Sequence, residues 1–126
     1  MVKREKNMGL KKVWNQLWDK YMKSPAEKIE STAFSADETK RYRIIFSGIV
    51  QGVGFRYETW AIAQKLELTG FVENLPEGTV YAEIQGPENK ILYLIDCLQL
   101  IPRIHIEKMK MEEMEIRQET NFEIAN

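Results

Sequence analysis

Cysteine, histidine and proline are scarce in this sequence of 126 residues, at one, one and four. A lone Cys97 excludes an intrachain disulfide, which leaves the redox compartment open and the cytoplasm as the default expectation. Cys97 lies in an apolar run, where the expected role is a small buried hydrophobe rather than a nucleophile. His105 falls in a strand-like segment and is expected to be structural. One His and one Cys do not make a transition-metal site, and no metal or other cofactor is expected. No apolar run reaches the roughly 18 residues of a helical membrane span, and the first residues lack the unbroken apolar centre of a secretory signal.

An excess of positive charge is also missing. The formal net charge of −1 divides unevenly: residues 1–40 carry nine Lys and Arg against six Asp and Glu, whereas residues 41–126 carry nine against thirteen. An acidic main domain argues against general nucleic-acid binding, which rests on a basic surface that neutralises phosphates. Any anion site must therefore be local. The length fits one domain, 41–126, with an appendage, 1–40, and a hydrophobic fraction of 44% suits a packed core.

Glycine is concentrated where it matters, in Gly48-Ile49-Val50-Gln51-Gly52-Val53-Gly54-Phe55-Arg56. Glycine tolerates positive φ, so such a loop turns successive N–H groups toward one point. Tyr42 to Ser47 before it reads as a strand and Phe55 to Glu67 after it as a helix, and the N–H groups opening a helix bind phosphate well. Arg56 in the first helical turn opposes the macrodipole, a penalty of roughly 0.3–1 kcal/mol that a bound anion would reverse. The pattern is neither a Walker A loop nor Gly-x-Gly-x-x-Gly.

Along the rest of the chain, Leu10, Val13, Trp14, Leu17, Trp18 and Tyr21 keep the spacing of one helical face between Met1 and Lys23. That stripe needs a cover: the chain's own domain, a second copy, a partner protein or a membrane surface. Ser24, Pro25 and Glu27 signal the start of a short helix, and Ser31 to Lys40 reads as a polar linker. Phe55, Thr59, Ile62, Ala63 and Leu66 form the stripe of the helix after the loop, with Tyr57 and Trp60 off it. Two strands, Thr69 to Leu75 and Thr79 to Gln85, flank a turn at Pro76-Glu77-Gly78. A second helix over Glu88 to Ile101 stops at Pro102. Arg103 to Glu112 alternates, but its two phases are too mixed to show which faces inward, and Asn121 to Ala125 reads as a final short strand. Strand, helix, hairpin, helix and strand make the split βαβ pattern of a ferredoxin-like α+β sandwich, an antiparallel sheet with both helices on one face.

Val50-Gln51-Gly52-Val53-Gly54-Phe55-Arg56 resembles the signature of the acylphosphatases, enzymes that hydrolyse the mixed anhydride of a carboxylic and a phosphoric acid. Leu68-Thr69-Gly70-Phe71-Val72-Glu73-Asn74-Leu75-Pro76-Glu77-Gly78-Thr79-Val80 resembles that family's Gly-aromatic-Val-x-Asn segment with its acidic-Gly turn, though Glu77 stands where Asp is common. The resemblance runs from about Tyr42 to Ile124 and implies the same architecture. It also implies that a small-molecule acyl phosphate is the substrate and that Arg56 and Asn74 are the catalytic pair, with Asn74 orienting water.

The chemistry of the residues agrees with those roles. Backbone N–H groups of Gln51, Gly52, Val53, Gly54, Phe55 and Arg56 supply fixed donors, and the planar guanidinium matches phosphate oxygens bidentately. Asn74, expected on a strand next to the first, is an uncharged amide that can donate and accept without repelling a phosphoryl dianion. The alternative is a non-catalytic anion-binding module joined to a partner through its N-terminal helix.

Overall fold

The computed structural model describes residues 34–126. The helix expected over Met1 to Lys23 and the signal at Ser24 lie outside the described residues.

Seven elements follow one another: β1 (Thr39–Ile49), α1 (Phe55–Leu66), β2 (Thr69–Asn74), β3 (Val80–Pro87), α2 (Glu88–Gln99), β4 (His105–Met114) and β5 (Phe122–Ile124). The strands form one sheet in the order β4-β1-β3-β2-β5. The four strands of the split βαβ pattern pair antiparallel throughout, as the sequence implied. The fifth joins β2 in parallel, so the sheet is mixed rather than wholly antiparallel. The reason is connectivity: β4 and β5 sit at opposite edges, so the intervening chain must cross the sheet before β5 can pair.

Both helices cover one face. The expected stripe of α1 is buried, joined by Glu58, and α2 buries Ile91, Leu94, Ile95 and Leu98 together with Tyr93, Asp96 and Cys97. Against them stand Ile44, Phe46, Val72, Ala82 and Ile84, the residues whose period-two alternation points them to that face. Burying each Val, Leu, Ile or Phe side chain contributes about 1.5–3 kcal/mol. Cys97 belongs to this core, where burial first of all, with the neighbouring Asp96 charge, pushes its thiol well above the ordinary value.

The mixed phases of β4 have a structural cause. Ser47 pairs with Lys108 but Gly48 pairs with Ile106, so Glu107 is an extra residue and the strand bulges there. The bulge changes the phase, which lets Ile106, Met109 and Met111 all pack on the core. Gly48 is required opposite it, because a Cβ there would lie 2.2 Å from the His105 carbonyl oxygen. His105 itself is exposed at the sheet edge.

The segment read as linker joins the domain earlier than its polarity suggests. The Phe34 ring meets Tyr93 edge-on at 5.1 Å, and Thr39 and Lys40 already pair with β3. Asp37 Oδ2 accepts the Asn89 N–H at 2.9 Å, serving a helix that starts at Pro87 with no side-chain cap of its own.

Arg41 points to the sheet face that carries no helix, yet it is fully buried. Its Nη2 donates to Glu83 Oε1 at 2.8 Å, and its Nη1 to Gln85 Oε1 at 3.1 Å and Glu119 Oε1 at 2.6 Å. Gln85 in turn donates to the Arg117 carbonyl and accepts from the Arg117 N–H, at 2.7 and 2.9 Å. This cluster fastens the crossover between β4 and β5 to the middle of the sheet. Burial would raise the Glu83 pKa, but hydrogen bonds from Tyr81 and Arg41 outweigh it and hold it below the usual value. The Arg41 hydrogen bond likewise lowers Glu119 against its burial.

Breaking a buried pair by removing one partner costs about 3–5 kcal/mol, so Arg41→Met is expected to lower unfolding free energy by that amount in urea at neutral pH. Because the folded pKa values of Glu83 and Glu119 are depressed, their contribution is full above the ordinary carboxylate range of about 4. It is lost as pH falls through the depressed values. The gap between wild type and Arg41→Met measured by denaturation should therefore shrink from pH 7 to pH 3.

Candidate active site

The loop between β1 and α1 adopts left-handed backbone at Gly52 (φ 74°) and at Gly54 (φ 79°). Alternating left-handed positions turn neighbouring N–H groups to the same side. The first helical bond of α1 runs from the Glu58 N–H to the Gly54 carbonyl at 3.0 Å. The N–H groups of Phe55, Arg56 and Tyr57 are therefore the unpaired donors of the helix start. A Cβ on Gly52 would meet nothing within 4 Å, so this glycine is needed for its φ alone and the loop is open above it.

Two side chains outside the opening fix this loop. Gln51 Nε2 donates to the carbonyls of Leu75 (2.9 Å) and Thr79 (2.8 Å), the closing residues of the β2–β3 turn. Arg103 Nε donates to the Val53 carbonyl at 2.7 Å and its Nη2 to the buried Glu58 at 2.6 Å. The Arg103 guanidinium lies so close to Gly54 that a Cβ there would stand 3.2 Å from Nη2. Gly54 is thus required for its φ, and a Cβ there would also press on the Arg103 guanidinium.

A cleft of about 270 Å³ opens above the loop, lined among others by Gly52, Gly54, Phe55, Arg56 and Asn74. Phe55 is buried beneath it, its ring 4.9 Å from that of Phe46. The side chains of Gln51 and Val53, whose backbone N–H groups were the expected donors, turn elsewhere: Gln51 sends its amide to the hairpin, and Val53 packs toward the core. β2 is not the neighbour of β1, as expected from sequence; β3 lies between them. Asn74 reaches the cleft because the loop bends across the end of β3, the span that Gln51 bridges.

Asn74 Oδ1 is shielded from solvent and accepts no hydrogen bond among the described residues. A buried acceptor left without a donor costs about 1–3 kcal/mol. Its backbone, by contrast, is fully engaged by Asn126, whose Oδ1 accepts the Asn74 N–H (3.0 Å) and whose Nδ2 donates to the Asn74 carbonyl (2.9 Å). The same Asn126 Oδ1 accepts from Arg56 Nη1 at 3.1 Å, and among the described residues the other guanidinium donors have no partner. Asn126 was not singled out from sequence, and no motif marks it. Only the crossover that delivers β5 beside β2 places it here, with the Ala125 N–H bonded to the Val72 carbonyl at 2.9 Å. Arg103 went unnoticed for a similar reason, although its position just after the second helix-stopping proline turn was visible. Among the described residues, no group of His, Cys, Asp and Glu could hold a metal ion.

A sequence model described as Acylphosphatase matches residues 42–124. The chain belongs to the acylphosphatase family. It is 37% identical to an acylphosphatase of Ligilactobacillus salivarius over 68% of this chain and 98% of that one. An acylphosphatase of Acaryochloris marina is 40% identical over 65% of this chain and 89% of that protein. The crystal structure of acylphosphatase from Bacillus subtilis superposes with a TM-score of 0.65 at 32% identity, covering 71% of this chain and all of the other.

Arg103 spans the back of the acylphosphatase loop, so Arg103→Met should loosen it without touching the cleft. We expect kcat/KM to fall about five- to thirtyfold, the equivalent of about 1–2 kcal/mol for lost charged hydrogen bonds. The inhibition constant of inorganic phosphate should rise in parallel, as read by steady-state kinetics.

Proposed function

We propose that Arg56 and the loop donors hold the phosphoryl group of an acyl phosphate while Asn74 places the attacking water. The enzyme hydrolyses acyl phosphates to a carboxylate and orthophosphate. In this reading the water oxygen bonds to phosphorus as the bond from phosphorus to the acyl oxygen breaks, and the carboxylate leaves with the electron pair. The water protons pass to the phosphate oxygens and solvent. Carboxylate is a good leaving group, so binding, charge stabilisation and in-line placement are what the protein must supply. The donors of Gly52 to Arg56 are fixed before substrate arrives, which is what makes such donors effective.

The placement of Asn74 beside Arg56 in one cleft carries this reading, since an uncharged amide there can both donate to and accept from a water. The uncharged amide also avoids the repulsion a carboxylate would exert on a phosphoryl dianion. No metal takes part, because Arg56 and the N–H groups meet the phosphoryl charge. A cytoplasmic location belongs to the same proposal as the default for a chain whose single cysteine can form no intrachain disulfide.

Release of phosphate from benzoyl phosphate in the presence of EDTA tests the reading. Arg56→Gln should lower kcat/KM by a factor of about 100 to 1,000 or more and abolish inhibition by phosphate. Asn74→Ala should lose turnover to a similar degree while phosphate still inhibits residual activity or binds by calorimetry. Equal turnover by the Asn74 variant would overturn its role. No turnover by the wild type at high enzyme concentration would favour a non-catalytic anion-binding module.

A further inference from the structure

The motif residues hold the phosphoryl end and say nothing of the acyl end, yet the cleft has a second wall. Among the described residues only a few large apolar side chains stand exposed, and two of them, Tyr57 (60% exposed) and Ile124 (42%), line the same cleft as Arg56 and Asn74. They come from different elements. Tyr57 follows Arg56 in the first turn of α1, about 100° further round the helix. Ile124 lies on β5, on the side of the strand shared with the buried Phe122, and is brought there by the crossover that Arg41 fastens. The Tyr57 ring is braced by Trp60, with centroids 5.9 Å apart and planes inclined at 38°.

We infer that Tyr57 and Ile124 form the acyl subsite, and that they bias the enzyme toward acyl phosphates whose organic part is aromatic or branched and apolar. The inference rests on the phosphate-binding reading above. Its physical basis is geometric. A substrate held by its phosphoryl group in a cleft of about 270 Å³ must project its acyl group past one of the lining surfaces. Arg56, Asn74 and Asn126 make the polar side of that cleft, and Tyr57 and Ile124 the apolar side. A phenyl or branched alkyl group covers apolar surface there that a methyl group leaves wet. An aromatic acyl group also gains an offset or edge-on ring contact with Tyr57. An acyl group with an amino or charged substituent would lose hydration against the same wall without a partner.

The test is the ratio of kcat/KM for benzoyl phosphate to that for acetyl phosphate, a quantity insensitive to the fraction of folded enzyme. The wild-type ratio should exceed one by about tenfold, which at 1.4 kcal/mol per decade corresponds to roughly 55 Å² of covered apolar surface. Tyr57→Ala should bring the ratio close to one, Tyr57→Phe should keep it, and Ile124→Ser should lower it part of the way. A wild-type ratio near one, or a ratio unchanged in both Tyr57→Ala and Ile124→Ser, overturns the acyl subsite while hydrolysis itself still stands. Failure of the wild type to hydrolyse either compound overturns the phosphate-site reading instead.

Discussion

A cradle of backbone N–H groups works only if its shape is imposed from outside, and in this protein Gln51 and Arg103 impose it. Glycines give the loop access to left-handed backbone, but the same freedom makes a glycine loop entropically costly to hold. Gln51 ties one end to the β2–β3 turn and Arg103 ties the back to α1 and the turn after α2. Gln51 uses carbonyls of the β2–β3 turn, and Arg103 uses the loop carbonyl of Val53. In the proposed site the loop donors would thereby be fixed without being consumed, the condition for stabilising charge at low reorganisation cost.

The site is assembled from three stretches of chain that are far apart in sequence. Arg56 comes from the start of α1, Asn74 from the end of β2 and Asn126 from beyond β5. The third piece depends on Arg41, which is remote from the cleft. A guanidinium buried on the helix-free face binds Glu83, Gln85 and Glu119, and the crossover it holds decides where β5 runs. Stability and site geometry are therefore linked through one charged cluster. Such clusters are stabilising only when every member has a partner, and here each has.

Much of the fold was legible. The stripe of Phe55, Thr59, Ile62, Ala63 and Leu66 is the buried face of α1, and Pro76 to Gly78 makes the hairpin turn, with the Leu75 N–H bonded to the Thr79 carbonyl. These follow from local periodicity and turn chemistry, which act over a few residues. The facing of β4 was not legible, because one extra residue at Glu107 inverts the period-two code and nothing in the strand's own sequence announces it. The docking of Phe34 and Asp37 was hidden for another reason: a short polar segment can cap a helix or dangle, and only the presence of α2 decides.

For the proposed site, the glycine spacing and Arg56 by themselves set a left-handed loop and a fixed cation at the start of α1, since φ preference and charge belong to the residues. Where Asn74 stands relative to that cradle was a tertiary matter, because β3 intervenes and the loop must cross its end. Asn126 and Ile124 enter the picture only through strand order and the crossover, and Arg103 only through the docking of the turn after α2 against the loop. Local chemistry sets what a residue can do, whereas the sum of long-range packing sets what lies within its reach.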